Sequence, residues 1–176
     1  MFYENKIVTH IPLFDTSKGI KFSHMFRMCE NLTAIPPIDL SNAKEIRYFV
    51  YGCGAITELP LLDISKTTDT AYAFGNTSIV TIKLKVSETT GFSNTFYLAR
   101  GLENLIIEGT IAKNGFDVQY SSKLTHESLM SIINALQDKS TNTSGTTWTV
   151  TLGTKNKEKL TTEEKAIAEN KGWNVA

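Results

Sequence analysis

The feature that most constrains this chain is a segment that recurs along it with a fixed period. Residues 11–17, 35–41 and 59–65 read IPLFDTS, IPPIDLS and LPLLDIS, and each segment begins 24 residues after the one before. Two degenerate copies continue the series at 76–82 and 101–107. A period of this length is typical of proteins in which each repeat buries its apolar face against its neighbours.

The apolar positions of the repeats fall into columns. One column contains Ile11, Ile35, Leu59, Ile82 and Leu105. With one short strand per turn, stacked about 4.8 Å apart, such a column becomes a continuous apolar ladder. The period therefore predicts an α/β solenoid of the leucine-rich-repeat type, a right-handed stack of about five coils.

The repeat also resembles a known family. The pattern Met25-Phe26-x-x-Cys29-x-x-Leu32-Thr33-x-Ile35-Pro36-x-x-Asp39-x-Ser41 is similar to the BspA-like leucine-rich repeats of bacterial surface proteins and of tailed-phage tail and structural proteins. The resemblance covers about residues 1–110. It implies a setting on a virion tail or a bacterial cell surface. The fourth and fifth copies lack the cysteine, the proline and the aspartate of the pattern.

The repeat ends before the C-terminal part of the chain, which has its own signals. Leu129, Ile132, Ile133 and Leu136 predict an amphipathic helix that begins after an N-cap at Thr125. Further signals are an alternating strand near 148–152, a capping box at 161–164 and a short final strand at 173–175. We therefore expect a repeat domain at 1–112 and a small α/β capping unit at 113–176. The alternative is that the second unit is an independent binding domain.

The composition disfavours several classes of protein. The chain has 176 residues, with 18 Lys and Arg against 18 Asp and Glu, so its net charge is zero. Nucleic-acid binding is therefore not expected. No apolar run approaches the roughly 18 to 20 residues of a membrane span, so we do not expect membrane insertion either.

Two columns contain residues that could form covalent or metal sites. Cys29 and Cys53 occupy one column, where a disulfide is geometrically feasible, although two buried thiols filling a turn are the simpler interpretation. Asp15, Asp39 and Asp63 occupy another. A ladder of carboxylates suits calcium, whereas an Asp two residues before a Ser suits a local Asx turn. We favour the turn, and we predict no metal site and no cofactor.

The sequence contains little that points to catalysis. His10, His24 and His126 have no zinc-ligand spacing, and no serine lies in a nucleophile elbow. We therefore predict no catalytic residue and no enzymatic activity. A hydrolase with its site in the C-terminal unit is the remote alternative.

The predicted strands offer a binding surface instead. Residues between the core positions are expected on the concave face, where an apolar column, Phe14–Ile38–Leu62, lies beside a proline column and the fourth coil contributes two lysines. The alternative is that these three apolar residues turn inward. The prolines are Pro12, Pro36 and Pro60, and they indicate that each strand is short or ends there, because proline cannot donate to a ladder. The candidate binding residues are His10, Phe14, Ile38, Glu58, Leu62, Thr81, Lys83, Lys85, Asn104 and Glu108.

These observations lead to an expectation of non-catalytic recognition or structural support. The partner would be a protein or a cell-surface glycan, and the setting a phage tail or baseplate. The alternative is a bacterial adhesin that binds a host protein. Met1-Phe2 matches Met25-Phe26 in the repeat. We therefore expect a fragment of a longer protein, with homo-oligomerisation through an upstream region.

Overall fold

The computed structural model describes residues 2–176, in which short strands and helices alternate with long stretches of turn. The elements are β1 (Leu62–Asp63), β2 (Thr81–Val86), β3 (Asn104–Gly109), β4 (Phe116–Asp117), α1 (His126–Ala135), β5 (Trp148–Thr151), α2 (Thr154–Lys157), α3 (Thr162–Asn170) and β6 (Trp173–Val175). They form two parallel sheets of three strands each, in the orders β1-β2-β3 and β4-β5-β6.

The first sheet follows from strict alternation in β2. Ile82, Leu84 and Val86 are buried, whereas Lys83 and Lys85 between them are exposed. Successive side chains of a strand point to opposite faces, so this pattern buries one face of the sheet and leaves the other to solvent. β2 and β3 pair along their whole length.

Helix α1 lies against β3 and continues its hydrogen bonding. The Ser128 and Ser131 hydroxyls accept the backbone N–H groups of Leu105 and Ile107, each at 2.9 Å. The helix begins where the sequence predicts, because the Thr125 side chain accepts the Ser128 N–H as an N-cap. A helix in this place satisfies donors that an open sheet edge would leave unpaired.

The second sheet and α3 confirm the local signals of the C-terminal segment. Thr161 and Glu164 form the predicted capping box at the start of α3. Trp173 of β6 is buried and its indole N–H donates to the Gln137 carbonyl oxygen at 2.8 Å. The predicted strand near residue 148 is present as β5, between β4 and β6.

The sequence repeat is visible as backbone hydrogen bonds between residues about one period apart. The N–H of Phe26 donates to the Phe49 carbonyl oxygen at 2.9 Å, and the N–H of Val50 donates to the Ala73 carbonyl oxygen at 3.0 Å. The apolar columns are buried together in one core. Equivalent turns of the repeat segments therefore lie next to each other.

The predicted fold class is nevertheless wrong. A leucine-rich-repeat solenoid of about five coils would place one strand of every repeat in a continuous parallel sheet, and the chain is instead mostly loop with two small separate sheets. Within residues 2–61 the structure has only isolated bridges. Pro12, Pro36 and Pro60 fall at the predicted strand positions, and proline has no N–H to donate to a ladder.

Candidate functional site

The first sheet brings part of the predicted face together. Thr81 lies opposite Asn104, and Lys85 lies opposite Glu108. Lys83 and Lys85 are exposed on the same face of β2, and the Lys85 ammonium pairs with the Asp63 carboxylate at 3.0 Å.

Glu58 is bridged to Thr81 at the start of β2 and is exposed. His10 lies on the first repeat segment and is exposed, with its Nδ1 2.9 Å from the Thr9 hydroxyl.

The apolar column of that face does not exist as a surface. Ile38 is only 6% exposed and Leu62 is fully buried, while Phe14 is half-buried against the core. The exposed leucine is instead Leu61, at 51%. The alternative that these residues turn inward is therefore the correct one for Ile38 and Leu62, and neither can contact a partner.

A more continuous surface lies elsewhere, in a ladder of aromatic rings that we call the aromatic row. Its neighbouring ring centroids are 6.1, 4.9, 4.9, 5.6 and 5.2 Å apart. The rings are half-buried, except that of Tyr3, which is more exposed. In order, they belong to Tyr3, His24, Tyr48, Tyr72, Tyr97 and Tyr120.

The backbone adopts an unusual conformation at the residues that carry the central rings. His24, Tyr48 and Tyr72 have φ angles of 59°, 53° and 59°, in the left-handed region that bulky residues rarely adopt. The N–H groups of His24 and Tyr48 donate across to the next repeat, to the Arg47 carbonyl oxygen at 2.7 Å and the Ala71 carbonyl oxygen at 2.9 Å. The repeat therefore places the three rings in register, with Tyr48 and Tyr72 stacked at an interplanar angle of 5°.

One cation is built into the row. The Arg27 guanidinium carbon lies 5.2 Å from the Tyr3 ring centroid and 5.0 Å from that of Tyr48, within the range of a cation–π contact. Burial, and then the charges of Arg27 and Arg47, hold the pKa of His24 below its ordinary value. His24 is therefore neutral at neutral pH and stacks on Tyr48 as an uncharged ring.

This row was not predicted from the sequence, although the sequence contains a signal for it. His24, Tyr48 and Tyr72 recur at the repeat period, and so do Tyr3, Arg27 and Tyr51. These are two interleaved columns, because the Tyr51 ring packs edge-on against those of Tyr48 and Tyr72. Only the turn geometry shows that the two columns meet.

The two cysteines are free and buried. The Cys29 thiol donates to the Phe2 carbonyl oxygen and the Cys53 thiol to that of Phe26, each at 2.9 Å. Burial raises the pKa of Cys53 to about 12 and also raises the pKa of Cys29. Both are packed thiols, as the simpler interpretation predicts.

We expect Cys53 to resist alkylation in the folded protein. A pKa raised to about 12 leaves almost no thiolate at neutral pH, and the thiolate is the nucleophile. Mass spectrometry after iodoacetamide treatment should show an unmodified Cys53 in buffer and a modified one in denaturant. Reactivity in buffer should rise only as the pH approaches the raised pKa. Rapid labelling of the native protein at neutral pH would contradict this account.

Each aspartate of the column Asp15, Asp39 and Asp63 forms a hydrogen bond within its own turn. Each carboxylate accepts the N–H of the serine two residues later, at 2.9 Å for Asp15, 2.8 Å for Asp39 and 3.1 Å for Asp63. The hydrogen bonds from the following serines lower the pKa of Asp15 and Asp39. The local Asx interpretation is therefore confirmed. Within residues 2–176, no three or more His, Cys, Asp or Glu side chains are grouped to hold a metal ion.

The remaining histidine links two helices. His126 Nε2 lies 2.7 Å from Glu164 Oε1, which joins the first turn of α1 to the first turn of α3. The Thr161 backbone N–H, and also His126, lower the pKa of Glu164. The pair therefore fastens α3 to α1.

Comparison with known proteins adds no relative. The chain matches no protein-family model, no curated protein and no solved structure. Across residues 2–176, no helix combines the length and apolar character required to cross a lipid bilayer.

Proposed function

We propose that this protein is a non-catalytic binding module that recognises a protein or a cell-surface glycan through the aromatic row. The observation that carries this proposal is the row itself, a ladder of rings spaced about one repeat apart. The resemblance of the repeat sequence favours a setting on a phage tail or baseplate. A bacterial adhesin that binds a host protein is the second setting.

The first support is preorganisation. His24, Tyr48 and Tyr72 stack on one another, and the other neighbouring rings of the row meet edge-on. All of them except Tyr3 are half-buried, so these side chains are already ordered before a partner arrives. Ordering a flexible side chain at an interface costs about 0.5–1.5 kcal/mol. A row that has lost this freedom on folding can contact a partner without that cost.

The second support is the chemistry of tyrosine. The hydroxyls of Tyr48, Tyr72 and Tyr97 make no hydrogen bond within residues 2–176, and none of them is buried without a partner. Each therefore combines an apolar ring with a free donor and acceptor. Tyr and Arg are enriched among the residues that dominate binding energy at interfaces, and Arg27 lies within the row.

We expect the double substitution Tyr48→Asn and Tyr72→Asn to weaken binding by at least about tenfold, since truncating a residue that dominates binding at an interface costs about 2 kcal/mol or more. Asparagine tolerates the positive φ at both positions, so the turns can keep their conformation. The measurement is retention of fluorescently labelled protein on whole bacterial cells and on purified cell walls.

Two further variants serve as controls for this experiment. Lys83→Glu alters the exposed face of β2, which contributes no ring to the row, and should bind like the parent. Tyr48→Phe with Tyr72→Phe keeps the stacked rings and should retain part of the binding. Circular dichroism and thermal melting check that each variant is folded. If the Asn variant binds as well as the parent, or if only Lys83→Glu loses binding, the binding site does not lie on the aromatic row. If the parent binds neither cells nor cell walls, the proposal is overturned.

A further inference from the structure

A cleft of about 520 Å³ lies at the end of the aromatic row, where Tyr120 forms part of its wall. The segment that carries Gln119 to Lys123 forms one side, and α2 forms the other. The lining residues are Arg100, Gln119, Tyr120, Ser122, Lys123, Thr154, Lys155 and Asn156.

The cleft is positively charged. Arg100, Lys123 and Lys155 are exposed, and the lining contains no carboxylate. Of the acids at its margin, Glu103 lies 3.6 Å from the Lys123 ammonium, and Asp117 accepts the Gln119 amide at 2.8 Å. The Glu103 carboxylate therefore partly neutralises the positive charge of Lys123, whereas Arg100 and Lys155 form no ion pair within residues 2–176.

A fourth cation, the Lys159 ammonium, lies beside the lining residues Ser122 and Asn156. The Lys159 ammonium donates to the carbonyl oxygens of Ser122 at 2.9 Å and Leu124 at 2.6 Å. It also donates to Oδ1 of the buried Asn156 at 3.2 Å, and none of these partners carries a charge. Its positive charge therefore adds to that of the three cations at the rim.

The uncharged part of the lining suits a sugar. The Ser122 and Thr154 hydroxyls make no hydrogen bond within residues 2–176, so both can contact a ligand. Tyr120 adds an aromatic ring to the wall. Asn156 is a positioning residue, because its amide donates to the carbonyl oxygens of Ser121 and Leu152 and so joins α2 to the opposite side.

We propose that this cleft binds the anionic group, phosphate or carboxylate, of an acidic saccharide. Arg100, Lys123 and Lys155 would contact the oxyanion, since guanidinium and ammonium groups form charge-assisted hydrogen bonds with both kinds of acid. Tyr120 and the two hydroxyls would contact the sugar. The inference rests on the proposed function and deepens it, because it names an acidic glycan as the partner that reaches the end of the row.

The test is calorimetric titration of the full 176-residue chain with defined probes. The probes are glucose 1-phosphate, glucuronic acid, inorganic phosphate, glucose and tetraglutamate. We expect at least one acidic sugar to bind at least tenfold more tightly than glucose, inorganic phosphate and tetraglutamate. Comparison of the two acidic sugars shows which acid is preferred. If inorganic phosphate or tetraglutamate binds as tightly as the best sugar, or if no probe binds, the proposal is overturned.

The variants locate the binding. Arg100→Gln with Lys155→Gln should weaken acidic-sugar binding at least tenfold, whereas Lys83→Gln, on the exposed face of β2, should leave it unchanged. Amide chemical shifts of Ser122 and Thr154 in the parent should move on titration. Unchanged affinity in the double variant, or shifts confined to other regions, would overturn the assignment. If no acidic sugar binds the cleft while the Tyr48→Asn, Tyr72→Asn variant still loses cell binding, the assignment of the cleft is wrong and the aromatic row remains the proposed binding surface.

Discussion

Replacing Leu62 by alanine is expected to lower the free energy of unfolding by about 2–5 kcal/mol. Leu62 is fully buried in the core, in β1 at the edge of the first sheet and opposite Leu84. The substitution removes buried apolar surface and leaves a cavity that close-packed neighbours fill only in part. Chemical denaturation followed by circular dichroism measures the effect, with a fall in the thermal midpoint of about 2–4 °C per kcal/mol.

Leu61→Ala is the matched control for this substitution. Leu61 precedes Leu62 in the chain, but its side chain is 51% exposed. Surface substitutions of this kind stay within about 0.5 kcal/mol. Equal destabilisation by the two variants would show that Leu62 does not face the core, and it would reopen the predicted binding column on that face.

Gly109→Ala is expected to destabilise the protein by about 2–5 kcal/mol, the sum of two costs. Gly109 has a φ of 113°, and positive φ costs an L residue about 1–2 kcal/mol. An added Cβ would also lie only 2.1 Å from the Val86 carbonyl oxygen on the paired strand. Forcing β2 and β3 apart adds about 1–3 kcal/mol on the scale of overpacked sites. Denaturant unfolding again gives the value.

Gly115→Ala separates the two costs. Gly115 also has a positive φ, 91°, but a Cβ added there meets no atom within 4 Å. It should therefore show only the conformational cost of about 1–2 kcal/mol. If both alanine variants lose the same stability, the close approach of Val86 to Gly109 makes no contribution and the packing argument is wrong.

The local elements of the C-terminal segment could be predicted because their signals are short-range. The Thr125 N-cap and the capping box of Thr161 and Glu164 depend on residues within one helical turn. The same is true of the turns in which Asp15 and Asp39 accept the serine N–H two residues later. Such contacts need no knowledge of the rest of the chain.

The fold class could not be predicted in this way. The repeat places equivalent turns side by side, and its period alone is compatible with a strand in every copy. The strand also requires an unbroken series of N–H donors, which Pro36 and Pro60 interrupt. The short β1, of two residues, follows Pro60, and the longer β2 lies in a copy without proline.

The candidate sites were the least predictable part. Leu61 and Leu62 are chemically identical, and which of them faces the core depends on the register of β1 against β2. The aromatic row brings Tyr3 of one sequence column against His24 of another, at turns where His24, Tyr48 and Tyr72 adopt positive φ. The cleft joins Arg100 to Lys155, residues from separate elements.

The sequence by itself determined the period of the chain, its buried apolar columns and the caps of α1 and α3, because each depends on spacing or on neighbours within a few residues. The tertiary structure alone decided which leucine is exposed and which polar residues share a surface. These outcomes depend on strand register, turn geometry and contacts between distant segments. Their energies arise only when the segments are brought together, so no local pattern encodes them.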